Sequence, residues 1–224
     1  MEVSTAGLRY IASWEACYLY AYPDPASGGE PWTIGIGATR YDGQGNVKRG
    51  QTITIARAVA RFRETINKKY APGVNSAINV PVSQAEFDAL VSFHYNTGKI
   101  KSGTVDNKLN RGDRAAALAT WRSYRLAAGR VMRGLINRRA SEIALFKTGE
   151  YPARKIVLHT APGARVRYLD EKVFDIKPTR VTIEAFPPQT EDAQKRRLKD
   201  GNFLIQLGEF LLCLLFPKTR TPSK

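Results

Sequence analysis

In the run SWEACYLYAYPDP, Glu15 lies inside an apolar, aromatic stretch, Asp24 follows nine positions later between two prolines, and Thr33 opens the glycine-rich segment TIGIG. Two carboxylates in different settings suit glycoside hydrolysis, in which one acid stays protonated to donate to the leaving oxygen and the other, ionised, serves water or carbon. Burial against Trp14 or Tyr18 would favour the neutral form of Glu15, as a general acid requires. An open turn around Asp24 would leave that group ionised. By spacing alone the commoner roles stay open: a solvated or ion-paired helix glutamate, a turn-forming aspartate and an ordinary β-forming threonine.

The elements that must position these residues follow from periodicity. Ser4 or Thr5 can cap a first helix whose apolar face is Leu8, Ile11, Trp14, Tyr18 and Ala21, ending near Tyr22 because Pro23 disfavours helical geometry before it. PWTIGIGATRYDGQGNVKRGQTIT reads as an irregular hairpin around DGQGN, with Gly35 and Gly37 admitting a close approach to the backbone. A helix over 54–70 places Ile55, Val59, Phe62 and Ile66 on one face with basic residues opposite. Another begins at the Ser83/Glu86 capping box and ends at Gly98. Shorter helices are expected over 104–110 and 113–124, and a last one over 134–148 before Gly149. One small hairpin beside several helices indicates an α+β fold.

The 224 residues allow one sizeable domain and a smaller addition, with a boundary placed near Pro152: a first unit over 1–152 and an extension over 153–224. In the extension KIVLHT, ARVRYL and TRVTIEAF are strand-like, and a basic segment QKRRLK precedes the apolar run FLIQLGEFLLCLLF. That run falls short of the roughly 20 residues a spanning helix needs; it reads as buried core in preference to a membrane-contacting helix. Lys and Arg outnumber Asp and Glu by 35 to 20, a net charge of +15, which favours polyanionic partners. The excess is spread along the chain and no readout motif accompanies it, so a specific nucleic-acid binder is disfavoured. Two cysteines and two histidines are too few for a disulfide framework or a metal cluster, so no metal or cofactor is expected, and His94 is read as structural. Residues 1–7 lack the basic start and apolar core of an export signal, so a cytoplasmic beginning is expected.

The segment WEACYLYAYPDPASGGEPWTIGIGAT resembles the active-site region of the phage-type lysozymes, the muramidases of glycoside hydrolase family 24. VPVSQAEFDALVSFHYNTG, SGTVDNKLNRGDRAAALATW and GRVMRGLINRRASEIALF match the same family in the same order, so the resemblance runs from about Leu8 to Thr148. It implies a lysozyme-like fold, a small hairpin lobe plus a helical lobe. It further implies Glu15 as general acid, Asp24 as the carboxylate that handles water, Thr33 as its hydroxyl partner, and inversion at the anomeric carbon, with carboxyl groups about 6.5 to 9.5 Å apart. Arg139 aligns with the family arginine that orients the catalytic glutamate; from spacing alone it could equally pair with Glu142 on the surface. Asn96 and Tyr95 match a substrate-facing helix end, where an amide can hydrogen-bond the sugar N-acetyl groups, although core packing and a C-terminal helix cap stay open for them; Gly35 is counted with them on the substrate side. Ala38, where many relatives carry His, and Ala16, where a Gly is usual, depart from the pattern.

The implied activity is cleavage of the β-1,4 bond between N-acetylmuramic acid and N-acetylglucosamine in peptidoglycan by a monomer. The enzyme would stay in the host cytoplasm until a holin or another route releases it to the wall. The extension would grip anionic wall polymer or outer-membrane lipid, or pack on the catalytic lobe. The alternative from another class is a muramidase-like module without turnover, serving as a wall-binding scaffold.

Overall fold

The computed structural model describes residues 1–24 and 28–176. The expected strand TRVTIEAF, the basic segment QKRRLK, the apolar run 203–216 and Cys213 lie outside the described residues.

Helix α1 (Thr5–Ala12) starts where expected, with the Ser4 hydroxyl accepting the Gly7 N–H at 2.9 Å and Leu8 and Ile11 fully buried. It ends ten residues earlier than its apolar spacing suggested. After a turn in which Glu15 N–H donates to the Ala12 carbonyl, Ala16–Tyr22 forms strand β1. The tyrosines at 18, 20 and 22 are a period-two signal that overrides the helical one, because β1 gains partners along both edges. Glu15 therefore sits at a helix–strand junction and not on a helix face.

Strand β2 (Thr33–Gly35) pairs antiparallel with β1, placing Tyr22 opposite Thr33 and Tyr18 opposite Gly35. This corrects the expected hairpin: the strand-like residues after DGQGN also go to β1, through the Tyr20–Thr52 bridge, and do not pair with β2. The intervening loop is fastened by Arg61 of helix α2 (Ile55–Thr65), which is buried where a solvated basic face was expected. Its guanidinium donates to both Asp42 oxygens at 2.7 and 2.8 Å and to the carbonyls of Thr39 and Gly45. A π-helical turn (Ile66–Tyr70) follows, then α3 (Ala71–Ala77).

Helix α4 (Gln84–Thr97) shows the reciprocal Ser83/Glu86 capping box and stops at Gly98, whose φ of +67° is a left-handed cap. Short helices α5 (Val105–Asn110) and α6 (Arg114–Ser123) and a two-strand ribbon, β3 (Leu126–Ala127) with β4 (Arg130–Val131), lead into α7 (Arg133–Thr148). Helices α4, α6 and α7 share a core of Phe87, Leu90, Phe93, Trp121, Leu145 and Phe146. Beyond Pro152 the chain returns to the first sheet: β5 (Val157–His159) lies parallel to β1, β6 (Arg167–Tyr168) pairs with β5, and the strand order is β2-β1-β5-β6. The end of this segment is tied down by Arg9 to Asp175 at 2.5 Å and by Arg63 to the Phe174 carbonyl. The whole is α+β, a small mixed sheet against a helical lobe. Among the described residues no helix is long and apolar enough to cross a membrane.

Candidate active site

The junction between α1 and β1 leaves the Glu15 side chain 14% exposed, with one oxygen accepting Nη1 of Arg138 at 2.9 Å. Arg138 is the residue before the expected Arg139, and this is a correction of one position in a tandem pair. A step of one residue turns a helix by about 100°, so only one of two adjacent arginines can face the junction. Arg138 is 1% exposed and also donates Nε to Glu142 at 3.2 Å.

Arg139 does pair with Glu142, at 2.7 and 2.8 Å, but the pair is wholly buried and not on the surface. The Glu142 carboxylate accepts further bonds from Ser92 Oγ at 2.7 Å and Trp121 Nε1 at 3.0 Å. Glu15, Arg138, Glu142 and Arg139 thus form a chain of ion pairs from the α1–β1 junction into the helical core. Every lone pair on Glu142 is engaged, the condition under which a buried carboxylate is tolerable.

Three phenols sense the Glu15 charge. Burial first, then nearby tyrosine and the Glu15 carboxylate, push the Tyr22 hydroxyl up. Burial first, then Glu15, raise Tyr70 and, more strongly, Tyr95. Tyr70 and Tyr95 pack edge to face at 4.9 Å. The sheet register sets Tyr22 directly opposite Thr33, and both are buried.

Asp24 lies just past the end of β1. Its carbonyl accepts Gly28 N–H at 2.8 Å and its N–H donates to the Gly29 carbonyl at 2.9 Å, closing a tight loop. Asp24 is 3% exposed, so it is buried where an open setting was expected. Glu15, Asp24 and Thr33 are thus carried by one two-stranded unit: the entry to β1, its exit and the start of β2.

The close approaches foreseen at the TIGIG glycines come from the protein itself. Gly35, at φ +63° and buried, faces Ala58, whose Cβ would stand 3.2 Å from an added Cβ. At Gly37 an added Cβ would meet the Tyr95 hydroxyl at 2.7 Å. Tyr95 and Asn96 are both half-buried in the last turn of α4. His94 stacks edge to face on Tyr70 at 5.6 Å, a packing role. Cys17 is a free buried thiol, pushed up to about 12 by burial. Arg138 itself had a legible signal in its i,i+4 spacing to Glu142, the spacing that lets one acid bind two adjacent arginines.

Comparison with known proteins gives a consistent picture. Residues 12–142 match the family model "Phage lysozyme". The chain is 38% identical over 151 residues to the endolysin of Bacillus phage PZA, covering 66% of this chain and 56% of that protein, so it spans little more than half the length of this relative. The solved endolysin of Escherichia coli O157:H7 phage FAHEc1 superimposes with a TM-score of 0.61 at 33% identity, covering 68% of this chain and 98% of that one. The muramidase domain of SpmX from Asticaccaulis excentricus gives 0.57 at 31% identity, covering 66% and 98%.

Proposed function

The chain belongs to the phage lysozyme family, and from that premise we propose that the Glu15 cleft hydrolyses the β-1,4 bond between N-acetylmuramic acid and N-acetylglucosamine in peptidoglycan, lysing the cell as an endolysin. The observation that carries the reading is a largely sheltered glutamate held by a buried arginine, on the same two-stranded unit as a buried aspartate and a buried threonine that faces Tyr22 across the sheet.

In this mechanism Glu15 is the general acid. Its Arg138-bound oxygen is fixed, which leaves the other oxygen to carry the proton to the glycosidic oxygen. Arg138 orients the carboxyl and, after proton transfer, stabilises the carboxylate that remains; Glu142 and Arg139 keep that guanidinium from swinging. Asp24 accepts a proton from the attacking water, and Thr33, set opposite Tyr22 by the sheet register, holds that water on the face of the sugar opposite Glu15. Attack from the opposite face inverts the anomeric carbon. On this reading the sugar ring and its N-acetyl group bind beside Tyr95 and Asn96, the half-buried residues at the end of α4. The +15 charge concentrates the enzyme near an anionic wall at low salt, and release to the wall through a holin fits such an enzyme.

The test is clearance of a peptidoglycan suspension by the parent, Glu15→Gln and Asp24→Asn. Loss of clearance in both variants, at a temperature where melting curves show each to be folded, is the expected result; a Glu15→Gln protein that clears as fast as the parent removes Glu15 from the mechanism.

A further inference from the structure

Strand β5 lies beyond residue 142, where the match to the family model ends, yet it reaches the site through a continuous stack of rings. In the parallel register of β5 on β1, His159 stands beside Tyr18, and the two rings are stacked at 4.2 Å with an interplanar angle of 6°. Tyr18 in turn contacts Tyr22 at 4.3 Å and 47°, and Tyr22 stands directly opposite Thr33 in the register of β2 on β1. Alternation along β1 puts Tyr18 and Tyr22 on one face, and the antiparallel register puts Thr33 on that face too.

Tyr18 needs something on its open side. Opposite it across β2 is Gly35, which has no side chain to pack, so lateral support comes from Tyr20 at 5.7 Å, from Tyr22 and from His159. Of these only the imidazole lies parallel to the phenol face, where it blocks the ring from tilting away from Tyr22. The stacked and tilted pairs, at 4.2 and 4.3 Å, are slightly closer than the usual aromatic range of about 4.5–7 Å, so the three rings are in direct contact.

We propose that His159 is a positioning residue for the reaction: its ring clamps Tyr18, Tyr18 holds Tyr22, and Tyr22 fixes the rotamer of Thr33. This rests on the reading of Thr33 as the hydroxyl that holds the attacking water. It makes the segment 153–176 a working part of the catalytic unit, acting from the far edge of β1. Because the effect is on the placement of water and not on sugar contacts, it falls on kcat and leaves KM alone.

The experiment uses the full chain with His159→Leu, which keeps volume but loses the flat ring, and His159→Phe, which keeps the ring. Each is combined with Thr33→Ala, and initial rates are measured against peptidoglycan concentration. The expected result is a fall in kcat of about tenfold for His159→Leu at unchanged KM, since small misplacements remote from the chemistry carry costs of this order. His159→Phe should stay within about twofold of the parent, and the His159→Leu loss should shrink below about twofold once Thr33 is already Ala. A His159→Leu enzyme as active as the parent, or an equal tenfold loss in both Thr33 backgrounds, overturns the clamp while leaving the role of Thr33 standing. A Thr33→Ala enzyme as active as the parent overturns that role, and the clamp with it.

Discussion

Replacing Glu142 with Gln removes one negative charge from a site that is 0% exposed and changes little in shape. In the parent, Arg138 and Arg139 both pair with Glu142; in the variant they are left with Glu15, which reaches Arg138 alone. The amide also presents NH2 where Glu142 accepted Arg139 or Arg138, so at least one of five donor contacts becomes donor against donor. Removing one partner of a buried pair costs about 3–5 kcal/mol, because the other charge stays buried without compensation. For a domain of this size each kcal/mol lowers the midpoint by roughly 2–4 °C, so the expected drop is about 6–20 °C. Thermal unfolding followed by circular dichroism measures the drop and urea unfolding the free energy, with Glu64→Gln as the control. The Glu64–Lys68 pair is largely solvent-exposed on the Lys side, and its loss should shift stability by no more than about 0.5 kcal/mol. A Glu142→Gln protein within about 1 kcal/mol of the parent would show that the chain of ion pairs is not an energetically coupled unit.

The two arginines should separate cleanly. Arg138→Met is expected to lower kcat about 100-fold, since Glu15 loses its orienting contact, whereas Arg139→Met should lose stability but keep kcat within a few-fold at temperatures where it is folded; steady-state kinetics beside melting curves distinguish them. Gly7→Ala should destabilise by about 1–3 kcal/mol in urea, because an added Cβ would lie 2.3 Å from the Asp88 carboxyl that holds Ser4, Gln84 and Tyr151. Burial, with Lys101 nearby, keeps the His94 imidazole below its ordinary range. The unfolded chain then binds that proton more readily, so stability is intact above the unfolded value of about 6.5, falls as pH drops below it, and levels off once folded His94 is also protonated. Melting from pH 7.5 to 5 should therefore fall more steeply for the parent than for His94→Gln.

Where local chemistry decides, the chain is legible in its residues. The Ser83/Glu86 box and the glycines after Thr97 and Thr148 mark helix ends that depend only on neighbours in sequence. The strands at 157–159 and 167–168 follow from β-branched and aromatic runs. What misleads is decided at long range. Leu8, Ile11, Trp14 and Tyr18 fit a helix until β2 and β5 offer hydrogen bonds to the backbone after Ala16. Asp24 looks like an open turn because nothing local announces its burial. The identity of the arginine on Glu15 depends on the rotation of α7, which a tandem Arg-Arg cannot reveal without the register to Glu142. The convergence of Glu15, Asp24 and Thr33 on β1 and β2 follows from a pairing that the turn signals around DGQGN point away from.

The central claim, that this cleft adds water across a glycosidic bond, is tested most directly by mass spectrometry of peptidoglycan fragments released in ¹⁸O-labelled water. The account predicts muropeptides ending in reducing N-acetylmuramic acid, each carrying one ¹⁸O at the anomeric position, and none from the Glu15→Gln protein. Fragments ending in unlabelled anhydro-muramic acid, lighter by one water, would contradict it, because they form when the muramyl hydroxyl and not water attacks.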